Sequence, residues 1–111
     1  MDLKEIDEKI RTLEYHLRIM AEVLGGTKYQ FTKLVVESNL SERETNEFFL
    51  LCEEMNKRLE EQKAEGFLNF HPLFQEFLSL LSPKLNPRDV VHACLEQKLY
   101  LSLMSELKKY V

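Results

Sequence analysis

Apolar residues recur along the start of the chain at Leu3, Ile6, Ile10, Leu13, Leu17, Met20 and Leu24, in steps of 3, 4, 3, 4, 3 and 4. That is an unbroken heptad seam, narrower than the stripe a helix usually turns to its own core. It predicts one long amphipathic helix over 1–24, stopped by Gly25-Gly26, which weaken a helix and supply a left-handed cap. From Thr27 the period shortens. "TKYQFTKLVVESNL" places Tyr29 or Phe31, Leu34 and Val35 on one face of a short helix that ends near Asn39.

The next start signal is stronger. Ser41 can cap a helix and Glu44, three residues on, completes a capping box. Phe48, Leu51, Cys52, Met55 and Leu59 then share a face. Glu53–Lys57 and Glu54–Arg58 lie on the other, in the favourable order, and Gly66 closes the helix. "FLNFHPLFQEFLSLL" follows, with Phe67, Phe70, Phe74 and Phe77 three or four residues apart and leucines widening the apolar surface. A helix apolar most of the way round belongs centrally, so Phe70 to Leu81 is placed in the middle of the fold, with Asn69 as a cap and Pro72 in the first turn. Asn86, Pro87 and Asp89 open a further helix carrying Val90, Val91, Cys94 and Leu95. The last presents Leu103, Met104, Leu107 and Tyr110, with Lys108 and Lys109 suited to its C-terminal end. The expectation is all-α, about six helices: the heptad helix (1–24), then a compact bundle (27–111) around the Phe/Leu-rich helix, within one domain.

Composition narrows the classes of function. With 44% hydrophobic and 31% charged residues the chain reads as globular. Its 15 basic and 19 acidic side chains leave a net charge of −4, which favours neither nucleic acid nor anionic lipid. The start "MDLKEIDEKI" lacks the apolar region of a signal peptide, and the longest apolar run, Phe48 to Cys52, is far too short to span a membrane. A cytoplasmic location without membrane attachment is expected. Cys52 and Cys94 sit in apolar surroundings and are expected to be buried free thiols.

Chemistry is sparse. His16, His71 and His92 lie on three different helices, and no nucleophile stands in a recognisable turn. His92 and Glu96 share a face at i and i+4, but one such pair falls short of a metal site. Glu53–Glu54 and Glu60–Glu61 read as solvated surface, and no glycine-rich phosphate loop occurs. No enzyme activity, metal or cofactor is expected. One binding motif has the right outline: residues 31–59 read as helix, turn, helix. Its second helix opens with Glu42, Arg43, Glu44, Thr45, Asn46 and Glu47, and three carboxylates against one arginine repel a duplex. DNA regulation stays the alternative reading.

"RTLEYHLRIM", "LEEQKAEGFLNFHPLFQEF" and "LNPRDVVHACLEQKLYLSLMSELKKY", taken in order, resemble the YhaI-like family, small helical proteins of bacilli that carry a domain of unknown function. "QKAEGF" before the Phe/Leu helix is the most specific part. One departure is Lys98, where the resemblance leads to Gly in the turn before Leu99-Tyr100. The likeness implies an all-helical cytosolic fold and carries no functional residue over.

The function expected is therefore a non-enzymatic, self-associating module, a regulatory or scaffold partner of itself and of other proteins. Its interface is Leu3, Ile6, Ile10, Leu13, Leu17, Met20 and Leu24. With Leu3, Ile10, Leu17 and Leu24 at position a, position e holds Asp7, Glu14 and Ala21, while g holds Lys9, His16 and Val23. A parallel pair brings Lys9 to Glu14 of the other copy, whereas an antiparallel pair sets acid towards acid. Each such exposed pair contributes only ~0.5 kcal/mol. Parallel is expected, with dimer and trimer both open.

Overall fold

The computed structural model describes residues 1–26 and 28–111, and all regular structure among them is helical. The helices are α1 (Leu3–Val23), α2 (Gln30–Glu37), α3 (Glu42–Ala64), α4 (His71–Leu80), α5 (Pro87–Gln97) and α6 (Leu101–Leu107), with a closing 3-10 turn over Lys108–Tyr110. The bundle boundary expected at Thr27 lies outside the described residues.

The helix boundaries follow local chemistry. Ser41 accepts from the Glu44 backbone N–H, and the Glu44 carboxylate accepts from the Ser41 N–H, so both arms of the capping box close. Asn86 caps α5 by accepting from Asp89, with Pro87 at the first helical position. Gly26 and Gly66 take positive φ (100° and 89°) just after α1 and α3, which a Cβ would disfavour. Three further positive-φ positions are not glycine, the first being Asn39 (φ 54°) just after α2. Lys98 (φ 63°) and Tyr100 (φ 48°) are both left-handed, so the break between α5 and α6 is a sharp turn on non-glycine residues.

The core gathers the inward faces of α2 to α6. Phe31 stacks on Phe48 at 5.1 Å, and Cys52, Met55, Leu59, Phe77, Val90, Val91, Cys94, Leu103, Met104 and Leu107 are sealed from solvent. The Phe/Leu-rich helix α4 contributes Leu73, Phe74 and Phe77, while α5 packs against both α2 and α6. Phe67 departs from the periodic pattern and stays half exposed. Helix α4 begins only at His71, so the stretch before it has no helical face to turn inward.

Polar ties between distant segments lock the helices together. Gln97, at the end of α5, accepts from the Thr32 N–H (3.0 Å) and donates to its hydroxyl (3.2 Å), capping the otherwise uncapped start of α2. Lys84 donates to the Asn39 carbonyl (3.1 Å) and to Glu44 (2.7 Å). Arg58 joins Glu54 on its own helix to Glu76 on α4. The Phe70 N–H donates to the Tyr110 hydroxyl (3.2 Å), pinning the chain's end to the start of α4.

Candidate interaction surface on the first helix

Helix α1 is well started and barely covered. Asp2 caps it, accepting from the Glu5 N–H at 2.8 Å, and Glu5 adds an acidic first turn that suits the helix dipole. Asp7 and Arg11 pair at 3.0 Å one turn apart. Yet Ala21 is its one buried residue. At 1.5 Å per residue α1 is about 31 Å long, and it draws the molecule out to 61 Å along its long axis. The radius of gyration is 17.1 Å, against about 13 Å for a compact chain of this length. Much of α1 therefore lies outside the packed body.

The predicted seam is uncovered as a row. Leu3, Ile6, Ile10, Leu13, Leu17 and Met20 keep between 39% and 85% of their surface in water. An apolar row of this length on one helix is unusual for a surface that meets only solvent. Leu24 ends differently: it is the cap residue beyond Val23 and is half-buried.

Where α1 does meet the body, it meets α2. The contact runs along the side of α1 that carries Glu14, Leu17, Arg18, Ala21 and Glu22, across from Lys33, Val36, Glu37 and Asn39. Positions a, e, b and f face that way, so α2 lies beside the seam rather than across it. An open groove of about 400 Å³ remains between the two helices. Neither Val36 nor the groove was legible from periodicity, because Val36 falls off the face that carries Phe31, Leu34 and Val35 inward.

The other sequence candidates are dispersed. Cys52 and Cys94 are buried free thiols, as expected, and burial pushes the Cys52 thiol up and the Cys94 thiol up to about 12. Phe70, Phe74 and Phe77 belong to the core. His92 and Glu96 stand with Asp89, Lys33 and Glu37 along a polar cleft between α5 and α2. Among the described residues no three His, Cys, Asp or Glu side chains converge as metal ligands would. In the helix-turn-helix segment Arg43 pairs with Glu47 at 3.6 Å, and Glu44 is held by Lys84 at 2.7 Å. The exposed start of α3 therefore offers a duplex mainly carboxylates. No described helix is long and apolar enough to cross a membrane.

The full span of the chain, residues 1–111, matches the sequence model of a family described as "Protein of unknown function (DUF1878)", and the chain belongs to that family.

Proposed function

We propose that this member of the family, read more narrowly as YhaI-like, is a non-enzymatic cytoplasmic protein that works by associating with itself through α1. The observation that carries the reading is the uncovered row Leu3, Ile6, Ile10, Leu13, Leu17 and Met20, spaced for a coiled-coil partner. Burying one such side chain fully contributes about 1.5–3 kcal/mol. Six that keep on average a little over half of their surface in water supply roughly 5–10 kcal/mol per chain, or about 10–20 kcal/mol for a pair. That offsets an association cost of about 4–15 kcal/mol. The partner is a second copy, set parallel so that Lys9 meets Glu14, and the assembly is a dimer or trimer. Bringing copies of the α2–α6 body together at fixed spacing gives other proteins a multivalent surface, the basis of a scaffold or regulatory role.

Light scattering on the full chain tests this directly. Wild type is expected to exceed monomer mass at tens of micromolar, and Leu13→Glu with Leu17→Glu to return it to monomer. Both positions are more than half exposed, so the double variant keeps the core. A wild type that is already monomeric at that concentration removes the proposal.

A further inference from the structure

The groove between α1 and α2 lies along the flank of the proposed seam, and it is unfilled. Its walls are Glu14, Leu17 and Ala21 from α1, with Lys33, Val36 and Glu37 from α2. Three observations point to the same occupant. Leu17 occupies position a and also lines the groove, so the two surfaces are continuous. Ala21, at position e, is buried where α1 meets α2 and, with only a methyl group, forms the apolar floor of the groove. Val36 keeps 39% of its surface in water although it faces α1 across the groove.

In a parallel pair each g residue of one helix meets the following e residue of the other. Position g holds Lys9 and His16, and the e residues they meet are Glu14 and Ala21, the two e positions that line the groove. Glu14 stands nearer the helix start, where an incoming lysine finds its opposite charge. Two turns further on, the open space lies over the buried Ala21 methyl and beside the exposed Val36, with the Lys33–Glu37 pair at its edge.

We infer that the α1–α2 groove is the second half of the self-association surface and receives the Lys9–His16 edge of a second copy's first helix. The inference rests on the seam reading above and adds to it that α2 takes part. Each body is then held against the partner's first helix through α2 rather than swinging on the turn at Gly25-Gly26.

Sedimentation velocity over a concentration series, on the full chain, separates the two ideas. Val36→Lys is expected to weaken self-association about tenfold, with unchanged helicity because Val36 lies outside the core. Glu14→Lys is expected to weaken it as well, and Glu14→Lys combined with Lys9→Glu to restore it. If Leu13→Glu with Leu17→Glu dissociates the protein while Val36→Lys leaves its dissociation constant unchanged, the groove proposal is overturned and the seam stands, because the Lys9–Glu14 pair belongs to both. A monomeric wild type overturns both.

Discussion

Replacing Phe74 by Ala probes whether α4 anchors the body. The ring keeps only 6% of its surface in water and stacks on Tyr110 with centroids 5.3 Å apart and planes 23° from parallel. Transfer of a buried phenylalanine side chain out of water contributes ~3 kcal/mol. The lost stack adds ~0.5–1.5 kcal/mol. Against these, Phe74 lies near the closing 3-10 turn, whose Tyr110 can settle partly into the space. The net expectation is a loss of about 3–4 kcal/mol, within the usual range for Phe to Ala. With an unfolding entropy of ~2.1 cal/mol/K per residue, that lowers the melting temperature by about 15 °C. The assay is urea unfolding followed by circular dichroism, comparing midpoints at unchanged slope. It is best run in the Leu13→Glu/Leu17→Glu background, since association would otherwise add a concentration-dependent contribution. A loss below ~1 kcal/mol, with the fold intact, would mean that Phe74 contributes little of the burial assigned to it.

Two further predictions concern the turns. Lys98→Gly is expected to stabilise the protein by ~0.5–1 kcal/mol, because glycine meets φ 63° without steric cost while giving back part of the gain as chain entropy; Lys98→Val should destabilise it, and the reverse order in thermal melts would refute the argument. The Glu44 carboxyl is lowered from 4.5 to about 2, chiefly by the Lys84 ammonium and then by the Ser41 N–H. A depressed folded-state value means that the stabilisation is present above the ordinary value of 4.5 and is lost as pH falls toward about 2. Wild type should therefore lose more melting temperature than Lys84→Met on acidification through that window, and equal losses would show that Lys84 does not set the shift.

Much of this architecture is legible because its signals are local. A capping box needs only Ser41 and Glu44, a helix start only Asn86 and Pro87, and a seam only a repeated spacing. The stretch before α4 misleads for the same reason. Phe67 continues the spacing of Phe70, Phe74 and Phe77, but the helix that would give the spacing meaning has not yet begun. The long-range ties leave no trace in composition: Gln97 with Thr32, Lys84 with Glu44 and Tyr110 with Phe70 are set by how helices cross. The groove is of that kind. Its walls come from two helices that meet beyond Gly25-Gly26, and nothing in the spacing of either predicts the angle between them.

The contrast between α1 and the rest of the chain bears on how association and folding are linked. The body α2–α6 closes around Phe77, Met55, Leu103 and their neighbours, and its helices are held by packing and by side-chain ties. Helix α1 has a good cap, one ion pair between Asp7 and Arg11, and Ala21 against α2. With so little tertiary burial the helix draws its stability mainly from propensity, capping and that ion pair, which offset the cost of ordering the backbone less well than packing does. The same six side chains that a partner would cover are those whose burial would hold the helix together. On the proposed reading, then, the seam and the order of α1 are one equilibrium. Mutations that strengthen the isolated helix without touching the seam should tighten association, since less ordering remains to be done when two copies meet.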